Sequence, residues 1–127
     1  MKMLDGFNRT NAKLYVACAP VPSLVVNSAR IYSATSAGLV KQAFVAIGDG
    51  GEDGGGVAVN TSTNNVFFTN SRADTVSVIS GSTNSVTGTI PVGANPFGAA
   101  VDPLTGRVFV ANRNSGDVSV FKDPSSP

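Results

Sequence analysis

Nine residues of this 127-residue chain, Gly48-Asp49-Gly50-Gly51-Glu52-Asp53-Gly54-Gly55-Gly56, set three carboxylates among glycines. Carboxylate oxygens are ligands for a hard cation such as Ca²⁺. The spacing of Asp49, Glu52 and Asp53 matches no EF-hand loop, so they are candidate ligand-binding residues in a solvated connection and no metal site is assigned. A phosphate-cradling loop is a poorer fit, because such loops open a helix and a strand follows here. Arg72 and Arg113 recur at nearby positions of two later loops, where their guanidinium groups could face an anionic ligand or stay solvated. The chain has no histidine, which removes the commonest general base and metal ligand and, with them, Ser-His-Asp and Cys-His catalysis within one chain. No catalytic residue and no cofactor is assigned. Cys18 is the single cysteine, so no intrachain disulfide forms. Leu14-Tyr15-Val16-Ala17-Cys18 has some likeness to a lipoprotein cleavage site, but the segment before it is polar, and Cys18 reads as a small buried hydrophobe.

The elements that must position these residues follow from composition and repetition. Hydrophobic residues at 42% and charged residues at 13% supply a packed core. The net charge of +1 offers no electrostatic case for nucleic acid. No run approaches the ~18 apolar residues of a spanning helix, and the first nine residues hold no apolar stretch of signal-peptide kind. Fourteen glycines and seven prolines indicate many tight turns.

Residues 56–79 repeat 42 positions later as residues 98–121, without a gap and with ten of 24 positions identical. Such a period is that of a four-stranded propeller blade. Within it, Gly56–Val59, Asn65–Thr69, Thr75–Ile79 and Ser85–Val92 read as short strands between turns. Gly106 suits the left-handed position that ends the turn from Asp102, and Asn64, its counterpart, is the next best residue there. Pro91 places the fourth strand outermost, since proline cannot donate to a central ladder. Asn70 and Asn112, at strand ends, read as structural. A degenerate copy lies upstream, where Lys13-Leu14-Tyr15-Val16-Ala17 is similar to Arg107-Val108-Phe109-Val110-Ala111 and Lys41–Ile47 suits a fourth strand. For its third strand, Leu24–Asn27 and Ala29–Ser33 compete; the second is preferred because Ala19-Pro20-Val21-Pro22 looks like loop.

These residues resemble the YVTN-type β-propeller repeat, a series of GVAVDP, TG, VYVAN, VSVID and TIPVG. The matching pieces are Gly56-Val57-Ala58-Val59-Asn60, Val66-Phe67-Phe68-Thr69-Asn70, Val76-Ser77-Val78-Ile79 and Thr89-Ile90-Pro91-Val92-Gly93. The second copy matches at Asp102-Pro103, Thr105-Gly106, Val108-Phe109-Val110-Ala111-Asn112 and Val118-Ser119-Val120. The resemblance implies an all-β fold of four-stranded antiparallel propeller blades and a cell-envelope or extracellular location. Relatives with this repeat include surface-layer and secreted proteins, binding modules, and enzymes of lactonase or lyase type. The resemblance carries no catalytic residue to any position here.

One partial propeller domain over residues 1–127 is expected, with a degenerate blade at 13–48, a blade at 56–93 and an incomplete blade at 98–121. About three blades make an incomplete ring, since propellers typically close with about four to eight. Two sources can supply the rest: further blades of a longer chain, or a homo-oligomer in which residues 1–12 complete a neighbouring blade. The expected function is a non-catalytic binding or scaffold module. The alternative is a fragment of a propeller enzyme whose acid-base residues lie in missing blades.

Overall fold

Small, β-branched and aromatic residues alternate between turn residues throughout the repeat, and this pattern fits a half-buried pleated surface. The computed structural model describes residues 3–8, 12–18, 27–49 and 55–127, and its regular structure is all strand. The strands are β1 (Met3–Asn8), β2 (Lys13–Cys18), β3 (Ser28–Thr35), β4 (Gly38–Ala46), β5 (Val57–Asn60), β6 (Asn65–Asn70), β7 (Thr75–Ser80), β8 (Ser85–Pro91), β9 (Pro96–Asp102), β10 (Arg107–Asn112) and β11 (Asp117–Lys122). They form three sheets, β1-β2-β3-β4, β5-β6-β7-β8 and β9-β10-β11, each antiparallel in chain order. These sheets are here called blades 1, 2 and 3. They stack without closing a ring.

Blade 1 corrects one expectation. Met3–Asn8 pairs with its own neighbour, from Met3 opposite Cys18 to Asn8 opposite Lys13, and so supplies the inner strand of blade 1 rather than part of a neighbouring blade. The blade therefore opens at Met3, ten residues before the repeat becomes recognisable at Lys13. The third strand is the later of the two alternatives, since β3 runs Ser28–Thr35 in register with β2. Pro91 does close the outermost strand of blade 2, opposite Thr75. Outer strands β4 and β8 each carry a register shift, opposite Ile31/Tyr32 and Val78/Ile79 respectively. A bulge of this kind twists an edge away from further pairing.

The core lies between blades, not within them. Tyr15, Ala17, Ala29 and Ile31 of blade 1 meet Val66, Phe68 and Ile79 of blade 2. From the opposite face of blade 2, Phe67, Val76 and Val78 meet Val108 and Val110 of blade 3. Alternation along β6 sends Phe67 to one neighbour and Val66 and Phe68 to the other, so one strand serves two cores. Phe67 and Phe121 add an edge-on ring pair with centroids 5.9 Å apart.

Polar side chains lace the seams. Asp123 is buried, and Asn60 Nδ2 donates to its Oδ2 at 2.7 Å while Asn65 Nδ2 donates to its Oδ1 at 2.7 Å. The Thr63 hydroxyl and the Ser125 amide complete its set of donors. One seam earlier, Lys13 Nζ donates to the Gly81 carbonyl at 2.6 Å and to Asn84 Oδ1 at 2.9 Å. Lys13 and Asn65 open the second strand of their blades, and each reaches the turn that follows the third strand of the next blade.

Candidate functional site

In blades 2 and 3 the loop joining the second to the third strand lies at one end with the link that leads into the blade, and backbone bonds hold them there. The Asp49 carbonyl, in the link between blades 1 and 2, accepts from the amides of Arg72 at 3.0 Å and Ala73 at 2.9 Å. In the next link the Asn95 and Ala94 carbonyls accept from the amides of Arg113 at 2.9 Å and Asn114 at 3.1 Å. Each link therefore crosses the loop of the blade it leads into. Asp74 Oδ1 accepts from the Asn95 amide at 2.8 Å, which ties the loop of blade 2 to the link of blade 3.

Asn70 and Asn112 anchor the loops from below, as expected of structural residues. Asn70 Nδ2 donates to Thr75 Oγ1 at 3.0 Å and Ser77 Oγ at 2.9 Å; Asn112 Nδ2 donates to Asp117 Oδ1 at 2.9 Å and Ser119 Oγ at 2.8 Å. The links press on these amides. A Cβ at Gly93 would lie 2.5 Å from Asn112 Nδ2, a distance no side chain tolerates without movement.

Of the candidate residues, the structure brings Asp49 and Arg72 together. Their charged groups lie 3.8 Å apart, with Arg72 67% exposed, so this carboxylate is engaged by a guanidinium. A pair so exposed contributes little to stability and leaves the guanidinium edge accessible to solvent. Arg113 stands on blade 3 with its guanidinium 5.2 Å above the Phe97 ring, a cation–π contact that holds the charge at the surface. Phe97 is a contributor the sequence pattern did not single out, because it falls in the link just before the repeat match that opens at Gly98. Glu52 and Asp53 lie outside the described residues. Among the described residues, no group of three His, Cys, Asp or Glu side chains is placed to hold a metal. Chemically, the loop end offers two surface guanidinium groups, Arg72 and Arg113, and an exposed amide pair in which Asn95 Nδ2 donates to Asn114 Oδ1 at 3.2 Å. Such a surface suits carboxylate or sulfate oxygens.

Cys18 closes β2 and is buried, as a small hydrophobe would be. Burial pushes its thiol pKa up, and the nearby Arg30 charge offsets part of that rise. A thiol in this state is a poor nucleophile. At the other end of the blades, a cleft of about 560 Å³ opens beside Ser62, Thr63, Leu104 and Ser125. Asp102 sits beside it, and bonds from the Thr105 hydroxyl and then the Leu104 amide lower its carboxyl pKa.

Comparison with known proteins agrees on the fold. No family model matches the chain. Over 51 residues it is 53% identical to a PE-PGRS family protein, PE_PGRS18, of Mycobacterium tuberculosis; the match covers 40% of this chain and 11% of that protein. Among solved structures, hydrazine synthase of Kuenenia stuttgartiensis superposes on 98% of this chain with a TM-score of 0.77 at 11% identity, 46% of that chain being covered. A gluconolactonase of Xanthomonas campestris superposes on 85% with a TM-score of 0.63 at 19% identity, with 33% of that chain covered. A nidogen/laminin complex matches 98% with a TM-score of 0.55 at 16% identity, with 50% of that chain covered. This chain thus spans half or less of each protein it is similar to. No helix among its described residues is long and apolar enough to cross a membrane. The chain folds as an all-β run of three β-propeller blades in an incomplete ring.

Proposed function

We propose that the chain is a non-catalytic binding or scaffold module, made of YVTN-type repeats in a cell-envelope or extracellular propeller. The observation that supports it most is the division of labour within the repeat. Identical residues recur in the strands and their anchors, whereas the loop end differs between blades, with Asp49 beside Arg72 on one and Arg113 over Phe97 on the other. Loops that vary on a repeated scaffold are where binding specificity grows. The inner strands β5 and β9 bring Val57-Ala58-Val59 and Gly98-Ala99-Ala100-Val101 toward the position of the ring axis, and none of these side chains moves protons; β1, the inner strand of blade 1, has one carboxylate in its sequence, Asp5. The envelope or extracellular location rests on the resemblance of the repeat.

The ligand class this surface suits is an acidic saccharide or peptide. Calorimetric titration of the purified chain with an alginate oligosaccharide is the test. Salt-sensitive binding that weakens several-fold in Arg72→Ala and in Arg113→Ala supports the reading. Unchanged binding in both variants removes the loop end from it. Hydrolysis of a lactone by the same preparation would favour the enzyme-fragment alternative.

A further inference from the structure

The two seams inside the molecule are built alike, and the repeat says what a third would look like. Across each seam, one face of a blade packs on the opposite face of the next. Blade 2 presents Phe67, Val76 and Val78 to blade 3, and these are 0%, 0% and 1% exposed. Their counterparts 42 residues on are Phe109, Val118 and Val120 of blade 3, which are 40%, 59% and 55% exposed. Blade 3 therefore carries a finished blade-docking face that no other described residue covers.

Its edge is finished as well. Asn60, Ser62, Thr63 and Asn65 of blade 2 all bond to blade 3, at Asp123 or at the Pro103 carbonyl. The corresponding row on blade 3 is Asp102, Leu104, Thr105 and Arg107. Arg107 occupies the place of Lys13 and Asn65, the two residues that reach the next blade's turn, and it is solvent-exposed.

Blade 1 holds the complementary face. Ala43 and Val45 pack toward blade 2, so Phe44 between them lies on the far side, 54% exposed, with the Arg30 and Lys41 charges 5.9 Å from its ring. Leu14 flanks the inward Tyr15 in the same way, is partly exposed and corresponds to Val66, with which blade 2 receives blade 1. Val16, the counterpart of Phe68, is already buried at 7% exposure, so the part of this face left open is at Leu14, Tyr32 and Phe44. The turn Thr35–Gly38 of that blade follows its third strand, which is where Arg107 would find carbonyl and hydroxyl acceptors.

We propose that the open face of blade 3 receives blade 1 of a second copy, head to tail, so that two chains close one six-bladed ring. A head-to-tail contact closes when its rotation divides the circle, and six blades lie within the range of known propellers. This inference concerns assembly and stands apart from what the loop end binds.

Light scattering on the 127-residue chain tests it directly. The expected mass is twice the 12.9 kDa of one chain. Val120→Asp and Phe44→Asp each alter a side chain exposed in the single chain, so each variant should keep its β-sheet circular dichroism and fall to 12.9 kDa. Mixing the two variants should restore a one-to-one dimer, because one intact contact survives only in a head-to-tail pair. A wild-type monomer would overturn the proposal and assign the open faces to blades of a longer polypeptide. Open-ended polymers, a dimer unaffected by Val120→Asp, or variants that fail to re-associate on mixing would overturn it too.

Discussion

Blades 2 and 3 carry the same residue at ten of 24 matched positions, yet some of those identical residues live in different surroundings. Phe67, Val76 and Val78 are sealed between blades, whereas Phe109, Val118 and Val120 face solvent. A strand's alternation decides which side chains share a face, but burial is decided by whether another sheet arrives. The contrast also separates two kinds of seam. In both seams the preceding blade donates and the following blade accepts, but the charge changes sides: between blades 2 and 3 it sits on the acceptor, the buried Asp123 carboxylate, and between blades 1 and 2 on the donor, the Lys13 ammonium, which reaches carbonyl and amide oxygens.

The sharpest way to break the comparison is truncation of the matched phenylalanines. Phe67→Ala should cost about 3–5 kcal/mol in urea unfolding, the usual range for emptying a phenylalanine site in a core. Phe109→Ala should change the stability of the single chain by no more than about 0.5 kcal/mol. If the loss at Phe109 grows with protein concentration, the excess measures copy-to-copy contact, since association stabilises by mass action. Equal losses at all concentrations would mean that the two blades do not differ as described.

The seams rank next. Asp123→Ala leaves the Asn60 and Asn65 amides buried without their acceptor, and should lower stability by about 3 kcal/mol. Lys13→Met removes a half-buried reach to the turn of blade 2 and should cost about 1 kcal/mol. Thermal unfolding of both variants gives the order, and a larger loss at Lys13 would reverse our reading of which seam depends more on polar contacts.

Smaller effects test the turns. Gly106 and Asn64, 42 residues apart, hold φ at 74° and 64°, where a side chain that cannot bond locally is strained. Gly106→Ala should cost about 1–2 kcal/mol in backbone strain, and its Cβ would also press on Ser126 Cβ at 2.5 Å. Asn64→Gly should be close to neutral, and equal losses in denaturant unfolding would remove the conformational argument. Smallest of all is the titration of Asp102. Its carboxyl pKa is lowered from 3.8 in the fold, so the stabilising contribution is present above that value and disappears as pH falls through the lowered one. Lowering pH from 7 to 5 should therefore produce no Asp102 step. Carboxyl NMR titration should show Thr105→Val moving the group back toward 3.8, because its first cause is the Thr105 hydroxyl bond.

Much of the fold was legible because a blade is a local structure. Strands β5 to β8 and their turns follow from neighbours in sequence, and the 42-residue offset doubles every signal. Legibility failed at β1, where Met3–Asn8 carries no turn-bounded alternation and becomes a strand by adding to the free edge of β2. The site was legible only in part. Arg72 and Arg113 stood out as loop cations, but the Asp49 partner and the Phe97 ring are matters of three-dimensional proximity. Asp123 was hidden for the same reason, as its donors lie about 60 residues away and no local pattern marks a carboxylate destined for burial.

The sequence by itself determined the period, the strands of the later blades and the left-handed turn positions, because these depend on backbone preference and alternation within a few residues. Tertiary structure alone decided which faces are core, which carboxylate is buried and where the open faces lie. Those outcomes depend on sheets meeting across long stretches of chain, and identical residues take opposite roles according to whether a neighbour is there.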